Sequence, residues 1–180
     1  LLSIPSNAKN DKKALVKILM LQKTASTWNH LNIITNWDSI VTAIKQIPFV
    51  DVISIIPQHT NFSTQVVLYK ESDIVISLWG GIASLNFLIP PGSVEILLAS
   101  WFAPLMPFHN NTWIKKKNIV CPDFDDRARL STGDTKFIRF CTATNGSSTT
   151  TVNITNFILL VESVVKNRLF DISFNKDSLK

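Results

Sequence analysis

Residues 65–98, QVVLYKESDIVISLWGGIASLNFLIPPGSVEILL, decide how the chain is read. Residues 65–72 carry clustered apolar side chains, as a helix packed on a sheet would. Asp73 then introduces residues 74–78, IVISL, an uncharged run rich in β-branched residues. Such a run suits a strand covered on both faces of a parallel sheet. Trp79-Gly80-Gly81 follows at once. Paired glycines let the backbone turn sharply and let a ligand come close to the peptide groups. A short helix is expected from Ile82, with its free N–H groups directed back at that turn, an arrangement that suits a phosphate. Pro90-Pro91-Gly92 must end the helix, because proline disfavours helical geometry in the residue before it and supplies no donor. Residues 93–98 restart as a strand.

The elements before this stretch alternate in the same way. Residues 14–21, ALVKILML, read as a strand, followed by a polar loop over residues 22–35. Residues 37–47 read as a helix with Ile40, Val41, Ile44 and Ile47 on one face, Thr35 or Asn36 as its cap, and Asp38 in its first turn. Pro48 closes it. Residues 50–56 form the next strand and residues 62–72 the next helix, so the pattern is β-α-β-α-β. Gln65, near the start of that helix, reads as a residue that caps or bridges loops. After Leu98 the pattern is weaker. Residues 99–113 are apolar and aromatic with prolines, residues 136–141 (KFIRFC) alternate like a strand, and residues 153–169 form a helix burying Phe157, Leu160, Val161, Val164 and Val165. The expected organisation is a linker over residues 1–13, an α/β Rossmann-like domain with an open parallel sheet over residues 14–170, and a polar tail over residues 171–180.

The spacing of Gln65, Asp73, Ile76, Gly80, Pro90, Pro91, Gly92, Ser93 and Val94 resembles, without a gap, the signature of the glycosyltransferase 61 family. The resemblance extends more weakly over residues 14–98, roughly half the chain. It implies the carboxyl-terminal, nucleotide-sugar-binding lobe of a GT-B-type enzyme that moves a sugar from a nucleotide donor to a glycan or glycoprotein acceptor. It implies no cofactor and no metal beyond the donor itself, and a partner lobe upstream. Donor contacts would fall to the backbone of Gly80 and Gly81, to Ser84, and to Lys23, a basic residue soon after the first strand. Trp79 would stack on the donor or wall its pocket; packing in the interior is the alternative for Trp79, and a solvated surface position is the alternative for Lys23. No residue stands out as general base. His30 stands where the family commonly has arginine.

The departures from the family pattern are specific. Trp79 replaces the usual histidine, Ile82 a glycine, Leu85 an asparagine (with Asn86 adjacent), and Leu97 an acidic residue. Glu95, two residues before Leu97, shares its face of the strand and is a candidate substitute. These changes leave open a second reading, a catalytically inactive module that keeps the transferase fold for binding or structure.

Composition narrows the other possibilities. The chain has 180 residues, 46% of them apolar, and a formal net charge of +5. That is enough for one domain with a real core and too little for a two-lobed transferase. Basic residues are scattered, with Lys115-Lys116-Lys117 reading as a solvated loop, and no basic stripe interleaved with aromatics points to nucleic acid. Residues 74–94 are long and uncharged enough to imitate a membrane span, but Gly-Gly and Pro-Pro within them fit strand, turn and helix better. Asp123 and Asp125 form a D-x-D pattern of the kind that holds a divalent ion, although a solvated acidic loop accounts for them. Cys121 and Cys141 are compatible with a disulfide or with two free thiols. Glycosylation sequons begin at Asn61, Asn110, Asn145 and Asn153, which favours the secretory lumen, endoplasmic reticulum or Golgi. The opening Leu1-Leu2-Ser3 lacks a methionine, and the chain is expected to be part of a longer protein.

Overall fold

A computed structural model describes residues 15–24, 33–78, 85, 87–101, 135–143 and 149–177. Its centre is a five-stranded sheet. In chain order the strands are β1 (Val16–Leu21), β3 (Val50–Ile55), β4 (Ile74–Leu78), β5 (Val94–Trp101) and β6 (Lys136–Ala143). Across the sheet they run β3-β1-β4-β5-β6, and all neighbours are parallel. Two short strands, β2 (Ile33–Ile34) and β7 (Thr149–Thr150), pair parallel to each other outside this sheet. The helices are α1 (Trp37–Lys45), α2 (Phe62–Glu71) and α3 (Ile154–Asp177). The α/β class and the open parallel sheet expected from the β-α-β alternation are therefore present.

Side chains alternate across the strands, so β1 and β4 each feed two cores. On one face Ile18 and Met20 of β1, Ile74, Ile76 and Leu78 of β4, and Val94, Ile96 and Leu98 of β5 pack with Trp37, Ile40 and Ile44 of α1 and Phe157, Val161, Val164 and Val165 of α3. The rings of Phe140 on β6 and Phe157 meet edge to face, 5.0 Å between centroids. On the other face Leu19, Leu21 and Val75 pack with Tyr69 of α2 and with Ile89. Every residue of β4 is buried, as its uncharged sequence requires of a strand covered on both sides.

The elements depart from the sequence reading at their ends and in the loops. The last helix, expected to stop at Leu169, runs through Asp177, because residues 170–177 contain neither proline nor glycine to end it. Of the short helix expected from Ile82, residues 82–84 lie outside the described residues, and Leu85, Phe87 and Leu88 adopt a tighter 3₁₀ turn. The polar loops over residues 22–35 and 142–151 contain β2 and β7, which the sequence reading lacks. Asn36 precedes α1 but makes no capping bond with its side chain. Its carboxamide instead brackets the backbone of Val152, donating from Nδ2 to the carbonyl at 2.9 Å and accepting from the N–H at 3.0 Å. With Thr35 N donating to Thr150 O at 2.9 Å, this prolongs the pairing of β2 and β7 and ties the start of α1 to the approach of α3.

Candidate functional site

Counting only the strands of the main sheet, the order is 2-1-3-4-5, with β1 and β4 as the neighbours from which the chain leaves in opposite directions. In open α/β sheets of this order a crevice forms outside the carboxyl ends of those two strands, where the flanking connections diverge to opposite faces. β1 ends at Leu21 and β4 at Leu78, and both ends lie at the same edge because the strands are parallel. Lys23 follows Leu21 by two residues. Trp79, Gly80, Gly81 and Ser84 follow Leu78 in sequence and lie outside the described residues.

Lys23 is partly buried, and that burial lowers its pKa below the ordinary lysine value. A cationic side chain that loses hydration on folding recovers energy from an anion placed beside it. Gln22 N donates to Ile55 O at 2.8 Å, which carries the β1–β3 pairing one residue past the strand and fixes the chain up to Lys23. On the other side of β1, Trp37 at the start of α1 is 2% exposed and donates from Nε1 to Ser54 Oγ at 3.1 Å. This bond joins the first turn of α1 to the penultimate residue of β3, near the same edge.

Several residues of the signature have architectural work at this distance or farther from the crevice. Gln65 is buried and donates from Nε2 to Pro57 O at 2.9 Å and Thr60 O at 2.7 Å, so it bridges the loop ahead of α2 as expected from its position. Asp73 precedes β4 at the opposite edge of the sheet. Its Oδ2 accepts from Lys17 N at 3.0 Å, and its Oδ1 accepts from Arg168 Nε and Nη2 of α3 at 3.2 and 3.1 Å. Ser93 N donates to Pro90 O at 3.1 Å, with Gly92 at φ 78°, the geometry of a type II turn with proline second and glycine third. Ser93 Oγ then donates to Ser72 O at 3.1 Å, which sets β5 beside β4.

Glu95, the candidate stand-in for an acidic residue at Leu97, lies on β5 two residues before it. It is 2% exposed, in the layer between the sheet and α2, and accepts from Ser77 Oγ at 3.2 Å. Burial, with the charge of Glu95 added to it, raises the pKa of Tyr69 well above the ordinary phenol value. A hollow of about 120 Å³ beneath α2, lined by Lys17, Asp51, Glu71 and Ser72, lies at the edge opposite the crevice. It is smaller than the hundreds of cubic ångströms a nucleotide needs, and the 2.9 Å Lys17–Glu71 ion pair is on its wall.

Among the described residues no group of three acidic, histidine or cysteine side chains converges as a metal site, and no helix is long and apolar enough to cross a membrane. Asp123, Asp125, Cys121 and Lys115 to Lys117 lie outside the described residues, as do Asn110 and Asn145. No protein-family model matches the chain, and no characterised protein matches it significantly.

The sequence reading missed the Trp37–Ser54 bond and the Asn36–Val152 bracket. Trp37 offered a weak signal, since an indole at the first position of a helix must place its N–H somewhere. The bracket offered none, because its partners are 116 residues apart.

Proposed function

We propose that this chain is the donor-binding, carboxyl-terminal lobe of a GT-B-type glycosyltransferase of the secretory lumen, similar to glycosyltransferase 61 enzymes. The observation that carries the proposal is the strand order, with the loops that hold Lys23 and Trp79-Gly80-Gly81 leaving adjacent strands at the point where the sheet's connectivity reverses. A nucleotide diphosphate fits the chemistry of those residue types. Backbone N–H groups at Gly80 and Gly81, the hydroxyl of Ser84 and the ammonium of Lys23 are all donors. They would offset the charge that grows on the diphosphate as the sugar departs. Trp79 supplies an aromatic wall. A base on the acceptor side takes the proton of the attacking hydroxyl, and it belongs to the upstream lobe. The roles of Gln65, Asp73 and Pro90 to Ser93 in holding loops and strands add support, since they give the shared spacing a physical basis.

Isothermal calorimetry with uridine and guanosine diphosphates and their sugar conjugates tests the reading. Weak binding of one nucleotide class, weakened further by Lys23→Ala, is expected, without transfer activity from this lobe alone. Absence of heat beyond dilution for every nucleotide refutes the donor site.

The substitutions at Trp79 and Ile82 favour a second reading, an inactive transferase-like module. Trp79→His with Ile82→Gly in the full-length protein separates the two. A gain of activity identifies a decayed enzyme, and a loss identifies a rewired active site.

A further inference from the structure

Two of the sequons fall on described residues, and in both the asparagine begins a helix. Asn61 Oδ1 accepts from Thr64 N at 2.8 Å and from Ser63 Oγ at 2.9 Å, capping α2. Asn153 Oδ1 accepts from Asn156 N at 3.1 Å, capping α3. Both residues are exposed. A backbone N–H identifies its partner atom as the carboxamide oxygen, so the capping bond is made by oxygen alone. The carboxamide nitrogen of each makes no hydrogen bond among the described residues.

We propose that Asn61 and Asn153 each carry an N-linked glycan while continuing to cap their helices. The co-reactant is an oligosaccharide carried on a lipid pyrophosphate. A bond forms between Nδ2 and the anomeric carbon of the sugar, the bond from that carbon to the pyrophosphate oxygen breaks, and one amide proton is released as the pyrophosphate takes up the bond's electrons. The product is a secondary amide whose oxygen is unchanged as an acceptor. Cap and glycan therefore use different atoms of one side chain. Because α2 covers one face of the sheet and α3 the other, and both helices follow strands of the parallel sheet, the two glycans flank the carboxyl edge from opposite faces. The inference rests on the lumenal location proposed above and is independent of the donor chemistry.

The test uses the full-length protein with its own targeting sequence in cells that perform N-glycosylation. Enzymatic glycan release in heavy-oxygen water followed by peptide mass spectrometry is expected to mark both Asn61 and Asn153. Ser63→Ala and Thr155→Ala are each expected to abolish one glycan and keep the capping asparagine. Asn61→Ala removes glycan and cap together and is expected to lower the melting temperature by about 2–4 °C more than Ser63→Ala does. Lack of occupancy at one site overturns the proposal for that asparagine, and lack at both overturns it whole. A parallel sample directed to the lumen by an added signal peptide shows which premise failed: occupancy there alone faults the compartment, and none there faults the surface geometry.

Discussion

Replacing Asp73 by alanine separates architecture from ligand binding. The carboxylate holds Lys17 N at 3.0 Å with one oxygen and Arg168 Nε and Nη2 at 3.2 and 3.1 Å with the other. Asp73 and Arg168 side chains are only 21% and 19% exposed, so water replaces the lost partner poorly. Hydrogen bonds to a charged group contribute about 1.5–3 kcal/mol each. Counting the two bonds from Arg168 to a single oxygen as one, and discounting for partial exposure, gives a loss of about 3 kcal/mol. For a domain of this size that corresponds to a fall in melting temperature of about 6–12 °C. Asp73→Asn keeps the shape and an acceptor, and loses about half as much. In a double-mutant cycle with Arg168→Met the coupling is about 1–2 kcal/mol. Denaturant unfolding followed by circular dichroism reads all of these. Five strand residues, about 16 Å of β4, separate Asp73 from the crevice edge, so nucleotide affinity below the melting temperature should not change. A stability loss under about 1 kcal/mol, or a collapse of nucleotide binding in protein that is still folded, refutes this assignment.

Gln65→Ala strands the Pro57 and Thr60 carbonyls and is expected to cost about 2 kcal/mol by urea unfolding, again with nucleotide affinity intact. Gly92→Ala has room for its Cβ, since the nearest atom, Arg168 Nη1, is 3.6 Å away. The cost there is conformational, about 1–2 kcal/mol for an L-residue at φ 78°, and a larger loss by thermal melting would point to a clash instead. Lys23 predicts a pH dependence of opposite sign for binding and for stability. With its folded pKa lowered by burial, the unfolded chain holds more protons between that value and the ordinary lysine value, so stability rises with pH across the window. Diphosphate binding needs the ammonium and should weaken over the same window; calorimetry against pH on Lys23→Gln should show both slopes flattened.

Residues 74–78 announced a doubly covered strand because a strand without charge has no face to give to water, and β4 occupies those residues. The α1 stripe of Ile40 and Ile44 was equally plain, since helical spacing is a local property. Gln65 was legible as a loop bridge because its partners lie only five and eight residues away. The strand order was not legible: which strand pairs with which depends on interactions between distant segments, and β-α-β alternation permits several orders. Asp73 was read only as the residue that introduces the strand, and its bond to Arg168 spans 95 residues. At the candidate site the sequence marked Lys23 and the paired glycines, but the strand order supplies the reason these segments would face one crevice.

The bracket between Asn36 and Val152 has a consequence for how the protein is made. Its partners are 116 residues apart, so the loop after the first strand cannot be pinned until nearly the whole domain has been synthesised. At roughly 5–20 residues per second, that part of the nascent chain waits about 6–23 s for its partner, during which Ile33 and Ile34 remain open to chaperones and to wrong pairings. The β2–β7 pairing and the start of α1 that it holds are thus expected to be among the last pieces to set, and truncation ahead of β7 should release them first.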